Sequence, residues 1–321
     1  MSSHFLITGG AGFIGSHLCE RLLKMGHKVT CIDNFDGFYA KEIKESNLEV
    51  CHSYDGFKMV EHDIINIHLL EDVLTDHYDG VIHLAAKAGI LPSILHAIDY
   101  SQVNIIGTQH LLEFARKKDI KRFIFASSSS TYGINDSCPW KEDETTLMPI
   151  SPYASSKISG EILGKVYAHL YGIQFLALRF FTVFGPRQRP DLAIHKFVNS
   201  IHNDIPINLF GNGTTQRDYT FIDDIIDGIV SSLNYSETQY EVFNLGNNIP
   251  ISLSDLINTI EDVLSKKAII NHLPMQPGDV PITYANIDKA KRLLNYGPKV
   301  NLKEGLQKFY NWYLHGKQSS I

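Results

Sequence analysis

Short apolar runs alternate with longer amphipathic stretches through the first 180 residues. The runs predict strands at 4–8 (HFLIT), 28–33 (KVTCID), 57–60 (FKMV), 80–85 (GVIHLA), 121–127 (KRFIFAS) and 174–180 (QFLALRF). Helices are expected between them, near 13–25, 67–76, 99–118 and 153–171. Within 99–118, Val103, Ile106, His110, Leu111 and Phe114 fall on one face at helical spacing. Strand–helix alternation of this kind builds right-handed βαβ units on a parallel sheet. The strands are apolar almost throughout, as strands covered on both faces must be.

After about residue 180 the pattern loosens. Turn-rich pieces (FGPRQRPD from 184, FGNGTTQRD from 210, PMQPGDVP from 274) separate shorter elements. Helices are expected near 192–203, 221–234, 252–266, 286–295 and 302–315, and EVFNLG from 241 reads as a strand returning to the sheet. The segment 135–149 reads as an exposed polar loop. The fold class expected is therefore α/β: a doubly wound parallel sheet (Rossmann) with a second, smaller α/β lobe. Residues 1–180 would form the dinucleotide-binding domain, with 217–248 returning to it, and 181–321 the substrate lobe.

Composition narrows the field without changing that picture. The 321 residues are 44% hydrophobic and 20% charged, with a formal charge of −6. No basic surface invites nucleic acid or an anionic membrane, and no apolar run approaches the roughly 18 residues of a membrane helix. Cys19, Cys31, Cys51 and Cys138 form no CxxC pair, and the chain enters its first strand without a signal segment, so a reduced, cytoplasmic protein is expected. The 15 histidines include no HExxH and no metal site is expected.

The first strand runs into TGGAGFIGSHL, which places Gly9, Gly12 and Gly15 between a strand and a helix. The first glycine permits the tight turn, the second lets a pyrophosphate approach backbone N–H groups at the helix start, and the third allows close packing. Asp33 closes the second strand, 18 residues after Gly15. A carboxylate there accepts from ribose hydroxyls and repels a 2′-phosphate, and nothing basic occupies 34–36, so NAD is expected rather than NADP. A purely structural strand–turn–helix would carry the same spacing.

SPYASSK from 151 sets Tyr153 and Lys157 one helical turn apart, on one face. Ser151 suits the N-cap and Pro152 the first helical position, so Tyr153 lies in the first turn. The helix dipole and the Lys157 ammonium would both draw the phenol down from about 10 toward working pH, making a general base for an alcohol. An exposed Tyr and Lys on a surface helix is the alternative that YxxxK alone leaves open. IFASSSSTYG from 124 adds four consecutive serines, Ser127 to Ser130, at a strand end.

Taken together, TGGAGFIG, Asp33, HLAA from 83, Ser128, YASSK from 153 and LRFFTVFGP from 178 resemble the extended short-chain dehydrogenases/reductases, in their NAD-dependent epimerase/dehydratase branch, along nearly the whole chain. The resemblance implies enzymes on nucleotide sugars, NAD held by Phe13 and Ile14 within the glycine loop, Asp63 and Ile64 near the adenine, and Leu84, Ala85, Ala86 and Lys87 along the cofactor. It implies catalysis by Ser128, Tyr153 and Lys157, with Lys157 also reaching the nicotinamide ribose. It also implies a homodimer packed through helices 99–118 and 153–171. Ile158, Ile162 and Tyr167 fit that face or an intramolecular core equally.

Within that branch, relatives that dehydrate the sugar carry Asp-Glu directly after the triad Ser/Thr, and relatives that decarboxylate a UDP-uronic acid usually carry Glu two residues after it. Here the positions hold Ser129 and Ser130, and a hydroxyl without an adjacent base is a poor proton acceptor at neutral pH. The expected reaction is 4-epimerisation of a UDP-sugar through a 4-keto intermediate. TVFGPRQRPDLA from 182, GILPSI from 89 and MQPGDVPITYA from 275 resemble the UDP-glucuronic acid 4-epimerase subgroup. Neutral-sugar epimerases more often have Asn at Thr182 and Arg at Gln276. Arg187 and Arg189 are candidate carboxylate ligands because a guanidinium fork matches a carboxylate, with the diphosphate or the surface as their other destinations. Arg217, Tyr219 and Asp279 are implied in diphosphate and uridine binding. The alternatives kept open are a neutral UDP-hexose 4-epimerase, a UDP-glucuronate decarboxylase, and a non-enzymatic NAD-binding regulatory protein. Asn104 is expected to be a structural hydrogen-bonder, and Asp223 and Asp224 to suit a helix start.

Overall fold

A computed structural model of the chain describes residues 2–135, 137–144, 147–274 and 280–318. The chain begins with β1 (His4–Thr8), α1 (Phe13–Lys24), β2 (Lys28–Asp33), α2 (Lys41–Leu48) and β3 (Phe57–Glu61). After α3 (Ile67–Val73) and β4 (Gly80–His83), two short helices, α4 (Ile90–Leu95) and α5 (Ala97–Ser101), lead through a π-helical turn (Gln102–Ile106) into α6 (Gly107–Lys117). β5 (Arg122–Ser128) ends in a 3-10 turn (Ser129–Tyr132), and α7 (Pro152–Tyr171) and β6 (Gln174–Phe180) follow. The second half holds β7 (Thr182–Phe184), α8 (Ala193–His202), β8 (Ile207–Phe210), β9 (Gln216–Phe221), α9 (Ile222–Ser232) and β10 (Tyr240–Leu245). It closes with β11 (Pro250–Ser252), α10 (Leu253–Leu264), β12 (Ile270–Leu273), β13 (Ile282–Thr283), α11 (Asp288–Leu294) and α12 (Leu302–Gln318).

Seven strands form one parallel sheet in the order β10-β6-β5-β4-β1-β2-β3. The chain leaves β1 toward β2 on one side, while β4 lies on the other, so the carboxyl ends of β1 and β4 open a crevice at a topological switch point. Thr8 pairs in register with Ile32 on one side and His83 on the other. Along β1, Leu6 and Ile7 enter hydrophobic clusters on opposite faces. Both faces are covered, which is why these strands carry no polar alternation.

The second lobe contributes a small sheet in which β9 pairs with β11, β13 and β7, and a separate β8–β12 pair. Asp218 on β9 is fully buried and accepts from the backbone N–H groups of Asn247 (2.7 Å), Asn248 (2.9 Å) and Ala285 (3.0 Å). One carboxylate thus fastens the small sheet to the loop leaving β10.

One helix expectation needs correcting. The inward face of the π-turn and α6 runs through Asn104, Gly107 and Thr108 to Leu111 and Phe114, leaving Ile106 43% exposed. Polar groups win those positions because Asn104 bonds to the backbone of Lys87 and Thr108 bonds to His83. Of the two readings open for Tyr167, the intramolecular core applies: it is buried, with its hydroxyl bonded to Gln109 and Glu113 within the same chain.

Candidate active site

The turn between β1 and α1 needs its glycines for specific reasons. Gly9 has φ +69°, and a Cβ there would lie 2.7 Å from the backbone N of Ala85. A Cβ on Gly15 would lie 2.2 Å from the carbonyl O of Gly9, so the third glycine lets the helix pack on the turn itself. α1 starts at Phe13, and its N-cap, Gly12, has no side chain to cap it. The first-turn N–H groups and the positive end of the helix dipole therefore face the crevice, where an anion is favoured.

Asp33 stands at the end of β2, nearly buried, and accepts from the N–H of Ala11 (3.2 Å) and Phe35 (2.9 Å). Burial pushes its carboxyl above the ordinary value, opposed by Lys44. The Lys44 Nζ lies 3.8 Å from Asp33 Oδ1 and donates to the Asp36 carbonyl at 2.9 Å. The sequence reading did not single out Lys44: KEIKE from 41 looks like an exposed charged stretch, and only the fold of α2 against the loop brings one of its lysines inside. Asp63 is anchored by Asn34 Nδ2 (2.8 Å) and by the N–H of Ile65 (3.0 Å). Asn104 receives the Lys87 N–H (2.8 Å) and donates to the Lys87 carbonyl (2.9 Å) and to Ser156 Oγ (2.9 Å), tying the loop after β4 to α7.

A cavity of about 530 Å³ fills the crevice. Its walls include Gly9, Gly12, Phe13, Ile14, Gly15, Asp33, Asp63, Ile64, the stretch Leu84, Ala85, Ala86 and Lys87, and then Ser127 to Ser130, Tyr153, Lys157, Thr182 and Arg189. Its acidic walls are Asp33, Asp36 and Asp63, all at the β2–β3 end; the end with Ser128 and Tyr153 has none among the described residues.

Ser151 caps α7, its hydroxyl accepting from the Ala154 N–H at 3.1 Å, with Pro152 in the first turn. Tyr153 and Lys157 follow on one face, but their electrostatics differ from the expectation. The Lys157 Nζ is turned onto the carbonyl of Ala126 (2.7 Å), at the end of β5. Burial pulls this lysine down to about 8, against the opposing charge of Glu161. Burial pushes the Tyr153 phenol up, and what draws it down is the Ser128 hydroxyl and the charge of Arg189 rather than Lys157. The lysine bonds the strand carbonyl while its Nζ stays 5.9 Å from the centroid of the Tyr153 ring.

The four serines divide their work. Ser127 donates to Glu161 Oε1 at 2.5 Å, and Glu161 holds Arg179 through two bonds (2.9 and 2.8 Å), a pair buried behind the cavity. Ser128 caps the 3-10 turn, accepting from the Ser130 N–H at 3.1 Å, and its hydroxyl reaches Tyr153. Ser129 and Ser130 also line the cavity.

The two arginines of the turn after β7 part company. Arg187, at φ +64°, faces α1 and pairs with Glu20 (2.8 Å); it lines neither cavity, so its reading as a substrate ligand is corrected. Arg189 enters the main cavity. A second cavity of about 290 Å³ opens beside the first, sharing Thr182 and Leu192, with Arg217, Tyr219, Asn208 and Phe210 among its walls. Asp279 and Gln276 lie outside the described residues. Asp224 accepts from the N–H groups of Lys299 (2.9 Å) and Val300 (3.2 Å), an anchor away from both cavities.

The family model described as GDP-mannose 4,6 dehydratase matches residues 6–309. A UDP-glucuronate 4-epimerase of Thermodesulfobacterium geofontis is 40% identical over 311 residues, which cover 96% of this chain and 95% of that protein. An uncharacterised protein of Methanocaldococcus jannaschii is 42% identical over 98% of this chain and 97% of its own length. Among solved structures, UDP-glucuronic acid 4-epimerase from Bacillus cereus, in complex with UDP-glucuronic acid and NAD, superposes with a TM-score of 0.90 at 38% identity, covering 97% of this chain and 99% of that one.

Proposed function

The chain belongs to the extended short-chain dehydrogenase/reductase family, in the branch covered by the GDP-mannose 4,6 dehydratase model, and we propose that it interconverts UDP-glucuronate and UDP-galacturonate with bound NAD. The observation that carries this reading is the reaction end of the main cavity, which has no acid among the described residues and which both Tyr153 and Arg189 line.

The glycine cradle, Asp33 and the walls from Asp63 to Lys87 fit a dinucleotide: the cradle has the close backbone approach that a pyrophosphate needs. When bound, NAD would supply the acceptor and then the donor of the C4 hydride. Tyr153 takes the C4 hydroxyl proton and later returns it. Ser128 shares a hydrogen bond with that oxygen and keeps the phenol aimed. Lys157, nearly buried, holds an ammonium against the Ala126 carbonyl of β5 and would bind the nicotinamide ribose. Dehydration would need a general acid and base over C5 and C6, and Ser129 and Ser130 provide neither. The keto-sugar therefore turns and is reduced on its other face.

The 4-keto acid is a β-keto acid that loses CO2 when its C5–C6 bond stands perpendicular to the carbonyl plane. Arg189, with hydroxyls such as those of Ser129 and Thr182, holds the carboxylate nearer that plane. The second cavity takes the UDP portion, with Arg217 and Tyr219 toward the diphosphate and Asp279 toward the uridine ribose. Residues 1–180 and the returning segment with α9 and β10 hold the cofactor, and the remainder holds the nucleotide sugar. Two copies pair through the apolar face of α4, α5 and α7, where Leu95, Ile98, Ile162 and Leu170 are each more than half exposed. The four free cysteines, three of them buried, suit a reducing cytoplasm.

The purified protein, incubated with UDP-glucuronic acid and followed by NMR, is expected to yield UDP-galacturonic acid without CO2 or a pentose. A UDP-pentose as the main product would make it a decarboxylase. Turnover of UDP-glucose or UDP-N-acetylglucosamine alone would make it a neutral-sugar epimerase and return Arg189 to the diphosphate. Arg189→Ala is expected to lower epimerisation and release CO2.

A further inference from the structure

Arg189 does not enter the cavity alone. Its Nε donates to Asp191 Oδ1 at 2.9 Å and its Nη2 to Asp191 Oδ2 at 2.8 Å, a planar bidentate pair. The Phe38 ring covers the guanidinium, with its centroid 5.1 Å from Cζ. Pro190 stands between the two residues and limits the backbone of this short ring closure. A guanidinium has two edges that match a carboxylate, Nε with Nη2 and Nη1 with Nη2. Asp191 takes the first. On the second edge, Nη1 makes no protein hydrogen bond among the described residues.

We propose that Asp191 is a positioning residue: by locking the Nε/Nη2 edge of Arg189 it aims the Nη1/Nη2 edge at the substrate's carboxylate. This rests on the reading of the substrate as a UDP-uronic acid. The opposite role, a built-in carboxylate that competes with substrate, fits the geometry less well. Arg189 lines the cavity and Asp191 does not, and the Asp191 side chain is 35% exposed against 19% for its partner. A lock also matters more than an extra contact would. The place where the guanidinium holds the carboxylate sets the direction of the C5–C6 bond relative to the C4 carbonyl plane, and that direction decides whether the keto acid keeps its CO2. A loosened Arg189 still attracts the substrate's charge but stops controlling that angle.

The test uses NAD-loaded protein carrying Asp191→Ala or Asp191→Asn. Three quantities are measured: KM for UDP-glucuronate, the share of turnovers ending as UDP-pentose and CO2, and the Kd of UDP by calorimetry. The expected result is a KM raised about tenfold, a pentose share raised several-fold, and UDP affinity within twofold of wild type, which also reports an intact fold. A lower KM in both variants would overturn the lock and make Asp191 a competitor. Equal weakening of UDP and UDP-glucuronate would overturn it in favour of a residue that merely holds the turn, and so would an unchanged KM and product ratio. A wild-type enzyme inert toward UDP-glucuronate would overturn the substrate reading and this inference together, whereas active wild type with unaltered variants overturns only the role of Asp191.

Discussion

Glu161→Gln removes one charge from a pair that the fold has fully enclosed. The Glu161 and Arg179 side chains are 5% and 4% exposed, joined by two hydrogen bonds, and Glu161 also accepts from Ser127. The substitution leaves a guanidinium in a low-dielectric setting, its plane over the Tyr132 ring at 4.6 Å, with only a neutral acceptor. Stranding one partner of such a pair costs about 3–5 kcal/mol. Native chains hold about 5–15 kcal/mol in total, so at least about a fifth of the stability should go. Urea unfolding checks this: the midpoint should fall with the slope unchanged. The double variant Glu161→Met with Arg179→Met, which removes both charges, should recover most of the loss. A loss under about 1 kcal/mol in Glu161→Gln, or a double variant worse than either single one, would refute the reasoning, because it would mean that the guanidinium finds water or another partner.

Gly15→Ala places a methyl 2.2 Å from the Gly9 carbonyl, so the turn must shift and NAD affinity, measured by fluorescence titration, should fall by at least about tenfold. Because burial sets the Lys157 pKa at about 8, below the ordinary lysine value, the ammonium is lost as pH rises through about 8. The kcat/KM profile should decline on that alkaline limb, and Glu161→Gln should move the limb to lower pH because Glu161 supports the charge. Tyr153→Phe should lower kcat by about 100- to 10,000-fold while NAD stays bound, a split that steady-state rates and cofactor content resolve together.

The parts of the fold that followed periodicity were legible: the six strands from β1 to β6, the helices α1, α3, α6 and α7 between them and the return of β10 to the sheet, whereas the short α2 and α4 were not anticipated. The small sheet was not, because β7, β11 and β13 are two or three residues long and too short to show any period. At the site, the glycines, Asp33, Tyr153 and Lys157 announce themselves through spacing against a strand or a helix. Lys44, Glu161 and Asp191 do not. Each acquires its meaning from a partner that the chain reaches only on folding, or, for Asp191, from a turn geometry that no spacing rule describes. The same limit explains Arg187, which shares a motif with Arg189 but whose left-handed backbone sends its side chain to α1.

The position of β10 bears on how the molecule is made. It is an edge strand, paired with β6, yet some 60 residues separate the two in the chain. A ribosome adding about 5–20 residues per second delivers β10 roughly 3–12 s after β6. Through that interval the fully buried residues Phe175 to Leu178 lie on an open strand edge, the kind that recruits other chains. Asn244 on β10 also supplies the acceptor for the Tyr132 hydroxyl and donates to the Trp140 carbonyl, so the loop beyond the serines stays unfastened for as long. A cut after residue 180 would make that transient state permanent. A chain ending there would lack β10, a late arrival that both closes this edge of the sheet and fastens Tyr132 and the Trp140 loop.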